Sequence, residues 1–284
     1  MFRAVSSKLL LLFLLFAALA SLGSAAGQQP AAFGSRPARE LVLPQFTDAD
    51  VTQLVEALDV VLPSSLPPDE WSEAAKVSLW DFVRRLQDGR LTTDQENRVL
   101  GHLRALEQAR PESAGVVSEA RRAVSLFTVG KQAPEIVGTN LDGGPMKLSD
   151  YRGKVVVLKF GGAWCAICRA EYPYERFLLE LYAGWPFAIL GIDSSETREG
   201  ARQSRLEHEL LYPAWWDGGA GAHSRGPIAK DWNVQGWPTT YLLDADGRIR
   251  FVDLRNEDLL KAVRQLVAEE QRRLLKAGTG PSKR

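Results

Sequence analysis

Cysteine is nearly absent from this chain. Its 284 residues include two, with three histidines and two methionines. So small a set excludes a scaffold stapled by several long-range disulfides. It also argues against a zinc site, which needs about four ligands, because His102, His208 and His223 each stand isolated in sequence. Net charge is missing too, with 35 basic residues against 35 acidic ones. That balance removes the basic excess by which proteins hold nucleic acid or an anionic membrane surface. The apolar run Leu9–Ala20 covers 12 residues, where a bilayer-spanning helix needs ~20. What remains, 45% hydrophobic and 25% charged, is ordinary globular composition, of a length for one large domain or two smaller ones.

The short apolar run has a better use. Arg3 and Lys8 precede it, and Ser21, Gly23, Ser24, Ala25 and Ala26 follow, in the order of a secretory signal peptide over residues 1–26. Cleavage after Ala26 places Ser24 and Ala26 at the two small-residue positions, and the cleavage region offers no cysteine for lipid attachment. The expectation is export to a bacterial periplasm or an equivalent oxidising compartment, the alternative being an uncleaved N-terminal membrane anchor.

Residues 27–45, rich in Gly, Pro, Gln and Ala, read as a flexible leader. A helical region is predicted over 46–128. Val51, Leu54, Val55, Leu58 and Leu62 recur at helical spacing behind the cap residue Thr47. Trp71, Ala75, Leu79, Phe82, Val83 and Leu86 form a second stripe, stopped by Asp88-Gly89. Thr93 with Glu96 resembles a capping box before Val99, Leu100, Leu103 and Leu106. A fourth helix starting at Pro111 carries Val116, Val117, Ala120, Val124 and Phe127.

The pattern changes at Gly130. Pro134–Val137 and Met146–Leu148 flank a Gly-Gly turn as a hairpin, and Val155–Phe160 reads as a buried strand. A helix to about Leu181, a strand Phe187–Ile192 and a polar helix Thr197–Glu209 follow. Gly218–Gly226, with His223 and Arg225, reads as a solvated loop, and Ile228–Trp232 as a short helix. Thr239–Leu243 and Ile249–Val252 flank the turn Asp244–Gly247, a hairpin signal. A last helix runs from Asn256 to about Leu275, and 277–284 form a polar tail. The predicted class is α/β, a mixed sheet flanked by helices over 130–276, preceded by a small all-α region.

Between the buried strand and the next helix stands Trp164-Cys165-Ala166-Ile167-Cys168, which holds both cysteines. A strand, then CxxC, then a helix is the thioredoxin-type redox signature. A bond between residues this close would close almost no loop and add little stability, so chemistry explains the pair better than stapling.

Leu148–Lys154, the strand, Trp-Cys-x-x-Cys, Arg169-Ala170-Glu171 and Pro173 resemble the TlpA/ResA-like thioredoxin family. The run Trp232–Thr240, followed by Asp244–Gly247, resembles its second motif. The likeness covers roughly Gly130 to Leu275. It implies a thioredoxin-like fold and a thiol–disulfide oxidoreductase working through its own redox-active disulfide, with no other cofactor and no metal. Cys165 would be the nucleophile, partly exposed at a helix N-terminus that stabilises its thiolate. Cys168, more shielded, would resolve the mixed disulfide. For Glu171 two readings stand open: proton acceptor for Cys168, or a solvated glutamate orienting neighbouring cations. Pro173 is structural. Pro238 resembles the cis-proline facing CxxC, with Trp164 and Trp237 as apolar walls of a client site or as core packing. Lys159 departs from the family, which carries an acid or a neutral polar residue at this position; it either stabilises a thiolate or snorkels to the surface. Gly162 stands where a peroxidase of related fold would carry threonine.

The function expected is reduction of disulfides in exported client proteins, fed by a membrane electron donor. The alternatives are a disulfide oxidase or isomerase, or a binding and assembly protein working through residues 46–128.

Overall fold

The computed structural model describes residues 41–62, 67–218 and 224–278. The expected signal peptide 1–26, most of the expected leader, His223 and the end of the tail lie outside them.

The four helical stripes fold as α1 (Asp48–Val61), α2 (Pro68–Gln87), α3 (Thr93–Ala109) and α4 (Ala114–Phe127), and Pro111–Ser113 form a 3-10 turn ahead of the last. Thr47 caps α1 in a box with Asp50. The box before α3 lies one residue earlier than expected, on Thr92 and Gln95 rather than Thr93 and Glu96. Thr92 has the extended backbone a cap requires (φ −74°, ψ 164°). Gln95 also donates from Nε2 to Phe46 O and Asp48 Oδ1, both at 3.0 Å. Glu96 instead accepts from Lys131 Nζ at 2.6 Å, tying α3 to the chain beyond the helices.

After Gly130 the strands are β1 (Val137–Thr139), β2 (Pro145–Lys147) and β3 (Val155–Gly161); helix α5 (Ala166–Leu181) follows. Next come β4 (Phe187–Asp193), α6 (Arg198–Glu207), β5 (Ala214–Trp216), α7 (Pro227–Asp231), β6 (Thr239–Leu243), β7 (Ile249–Val252) and α8 (Asn256–Lys276). The β1–β2 hairpin pairs Val137 with Lys147, so Pro134–Ile136 stay outside the expected strand. The other strands form one sheet, ordered β5-β4-β3-β6-β7. β3 runs parallel to β4 and antiparallel to β6. The strand β5, too short to show a period, was not predicted.

Position at the centre of the sheet explains the apolar run of β3, whose first six residues are all buried. Val155 and Val157 face the cluster that includes Leu178 of α5 and Val263 and Leu266 of α8. Val156, Leu158 and Phe160 face the opposite cluster, which contains the buried residues of α1–α4. Trp232 lies at the heart of that second layer. Its ring is 5.5 Å from Phe127, 5.6 Å from Phe160 and 5.2 Å from Tyr241, so α4 and the sheet share an aromatic core. Arg122 Nη2 to Asp231 O and Asn233 Nδ2 to Glu119 O, each 2.8 Å, seal its edge.

Candidate active site

The loop from β3 to α5 carries the cysteines. Its backbone is held before either sulfur is considered. Ser194 N donates to Gly161 O (2.7 Å), Ala163 N to Ser195 Oγ (3.1 Å) and Trp164 Nε1 to Ser194 O (3.1 Å). Arg169 Nη1 reaches back to Ala163 O at 2.6 Å. Cys165 is thereby set as the N-cap of α5, where its Sγ accepts from Cys168 N at 3.1 Å. A sulfur so placed receives a backbone donor and the positive end of the helix. The two cysteines are joined as a disulfide, with Cα atoms 5.2 Å apart. Cys168 packs on the end of β3, where a Cβ built at Gly161 would lie 3.3 Å from its Sγ.

Cys165 was expected to be partly exposed, yet it is only 6% exposed, little more than Cys168 at 4%. In the disulfide its sulfur turns inward toward its partner and the first turn of α5. Trp164 and Trp237, both half-buried, meet edge to face at 5.2 Å between ring centroids, so the structure brings these two predicted residues together. The Trp237–Pro238 peptide is cis, and Pro238 lines a small cavity together with Cys168.

Beneath the cysteines Glu171 is buried rather than solvated, and Lys159 does not snorkel to the surface. Lys159, Glu171 and Glu175 are all buried. The Lys159 ammonium bonds Glu171 Oε2 and lies 3.5 Å from Glu175 Oε1. Arg255 Nη1 bonds Glu171 Oε1 at 2.7 Å, and its Nη2 donates to Pro238 O at 2.6 Å. Glu171 is therefore neither solvated nor oriented toward Arg169. It joins the strand lysine to the arginine that holds the Pro238 carbonyl. Lys159 stays inside because it alternates with Val157 and Gly161 on the face toward α5, where two carboxylates offset its charge. Tyr212 OH donates to Glu175 Oε2 at 2.6 Å, while the Arg205 guanidinium lies 4.3 Å over the Tyr212 ring and bonds Tyr212 O. Burial, with the Glu175 charge second, holds the Tyr212 phenol well above its ordinary range. Burial likewise pushes Tyr172 up to about 12 and raises the carboxyl of Asp253.

Glu175, Tyr212, Arg205 and Arg255 were not singled out from sequence. A signal for Glu175 existed, because Cys168, Glu171 and Glu175 recur at three and four residues and so share the buried face of α5. Arg255 arrives 84 residues after Glu171, with no local cue.

Residues 129–252 match the AhpC/TSA family. Thiol-disulfide oxidoreductase ResA of Bacillus thuringiensis subsp. konkukian is 35% identical over 121 residues, which are 43% of this chain and 66% of that relative, just under two thirds of its length. ResA of Geobacillus kaustophilus is 34% identical over 122 residues, 43% of this chain and 67% of its own. The thioredoxin-like protein YneN of Bacillus subtilis is 32% identical over 124 residues, 43% and 68% of the two chains. Among solved structures, the thioredoxin domain of a Bacteroides vulgatus thiol-disulfide oxidoreductase covers 50% of this chain and 99% of its own, at 26% identity and a TM-score of 0.45.

Proposed function

Since the chain belongs to the thioredoxin-like thiol–disulfide oxidoreductase family of ResA and YneN, we propose that it reduces disulfides of exported client proteins through Cys165 and Cys168. The observation that carries this reading is the Cys165–Cys168 disulfide at the N-terminus of α5, with Cys165 Sγ accepting the Cys168 N–H. In the reduced protein the Cys165 thiolate attacks a client disulfide, forming a mixed disulfide and expelling one client thiolate. Cys168 then attacks Cys165, closes the intramolecular disulfide and releases the second client sulfur as a thiolate, which takes a proton from water. Two electrons pass to the client.

The direction rests on charge. A strongly oxidising pair is one whose reduced form is stabilised, and Ala166-Ile167 supplies no cation for that purpose. The one cation below the pair on β3, Lys159, is offset by Glu171 and Glu175. Both features favour the reductase. Trp164, Trp237 and Pro238 would flank the client segment, which pairs along the Trp237 backbone as an added strand. Residues 1–26 support export, and a membrane donor would return electrons in a compartment without a reducing thiol pool. Among the described residues no helix is long and apolar enough to cross a membrane.

Two measurements test this reading. Cys165→Ser is expected to abolish reduction of a protein disulfide, and Cys168→Ser to accumulate a covalent mixed disulfide with it. The reduction potential of the pair is expected near or below about −250 mV; a value of about −120 to −180 mV would instead indicate an oxidase or isomerase.

A further inference from the structure

The resolving step needs a base, because Cys168 must lose its proton before it attacks. Glu171, three residues on, is the nearest carboxylate in sequence. Its geometry makes it a poor acceptor: one oxygen is bonded by Lys159 and the other by Arg255. A proton placed there would break a charge-assisted bond of the strong class. On Oε1 it would also weaken the hold of Glu171 on Arg255, whose other nitrogen bonds the Pro238 carbonyl.

The space beside Cys168 leads elsewhere. A cavity of about 30 Å³ is lined by Cys168, Lys159, Glu175, Asp193, Arg205 and Tyr212, and Glu171 is not among its lining residues. That volume and those polar walls suit a water molecule. Glu175 follows Cys168 by seven residues, two helical turns, and so stands on the same face about 10 Å along the axis. It is 2% exposed. Tyr212 OH occupies its Oε2, while its Oε1 is 3.5 Å from Lys159, beyond a normal hydrogen bond. Asp193, the other carboxylate on the cavity, has its Oδ1 tied to Ser195 N at 2.9 Å.

We propose that Glu175, reached through this cavity, takes the proton of Cys168 during resolution, and that Glu171 is a positioning residue. This rests on the dithiol mechanism above. The Cys168 S–H bond breaks and its proton passes by way of water to Glu175 Oε1. The resulting thiolate forms the S–S bond to Cys165 as the Cys165–client bond breaks, and the client sulfur leaves with the electron pair. The proton on Glu175 then returns to water. The charged and titratable groups facing Glu175 are Lys159 from β3, Asp193 from β4, Arg205 from α6, Tyr212 from the segment after α6, and Glu171 and Tyr172 from its own helix. Arg255 stands behind Glu171.

Rapid mixing of the reduced full-length protein with 5,5′-dithiobis(2-nitrobenzoate) separates the two steps. Cys165 releases the first chromophore, and Cys168 releases the second on resolution. In Glu175→Gln the first phase is expected within about twofold of wild type and the second slowed at least tenfold across neutral pH. Glu171→Gln and Asp193→Asn are expected to slow the second phase less. Tyr212→Phe, which removes a donor to the Glu175 carboxylate, is expected to move the acid limb of the second-phase pH profile to higher pH. That shift is one a purely structural role would not produce, and it decides the matter should Glu175→Gln fail to fold. An unchanged second phase in Glu175→Gln, an unmoved limb in Tyr212→Phe, or a loss confined to Glu171→Gln or Asp193→Asn would overturn the proposal. Absence of both phases in wild type would overturn the dithiol mechanism itself.

Discussion

Lys159 shows at the scale of one side chain how far the sequence reaches. An ammonium within a strand of Val, Leu and Phe has two outcomes, escape along its own stem or burial with partners. Local sequence does not choose between them, because Glu171 and Glu175 lie on another element and become partners only when α5 docks on β3. The partnership has a measurable cost of disruption. Lys159→Met leaves Glu175 buried without its cation and Glu171 with Arg255 alone. Removing one partner of a buried ion pair costs about 3–5 kcal/mol, and a loss in that range is expected in urea unfolding. Adding Glu175→Gln to Lys159→Met is expected to recover part of it. Recovery of none would mean that Glu175 does not feel the Lys159 charge. The cysteines and the Trp164, Trp237 and Pro238 set were legible because contiguous motifs carry them. Arg255, Tyr212 and Arg205 were not, because their relation to the site exists only in three dimensions.

At the scale of elements, apolar period and punctuation fixed nearly every helix and every longer strand, and the errors fell at ends. The cap of α3 shows why. Thr92 and Thr93 are equal candidates by composition, and Gln95 and Glu96 are equal third partners for them. Gln95 is selected because its amide also bonds the carbonyl of Phe46 and the carboxylate of Asp48, contacts that only the folded helical region supplies. Thr92→Ala is accordingly expected to lower stability by about 1 kcal/mol, the usual value of a lost N-cap. Thr93→Ala should change it by less than half as much, by thermal or urea unfolding. A larger loss for Thr93→Ala than for Thr92→Ala would place the cap at Thr93, where the sequence alone suggested. The three-residue strand β5 escaped for a different reason: it is held by pairing Gly191, Ile192 and Asp193 of β4 with Ala214, Trp215 and Trp216, and three residues carry too little alternation to announce a strand.

Across the whole molecule, the change of pattern at Gly130 marks a change of architecture, while the packing continues through it. Phe127, the last residue of α4, is fully buried against Trp232 and Tyr241. Phe127→Ala is expected to cost about 3–5 kcal/mol and to shift helical and aromatic circular dichroism together as urea is raised. A helical signal lost well before the aromatic one would mean that the two regions unfold separately. The redox site adds a second property on this scale. The turn bearing Cys165 is anchored by Ser194, Ser195, Trp164 and Arg169, none of which bonds through sulfur. Making or breaking the disulfide therefore need not redraw the surrounding main chain. Under the proposed function, charged and spent forms of the protein would offer a visitor almost the same silhouette, so a client and an electron supplier would be told apart by sulfur chemistry rather than by shape, and both would use the same doorway in turn.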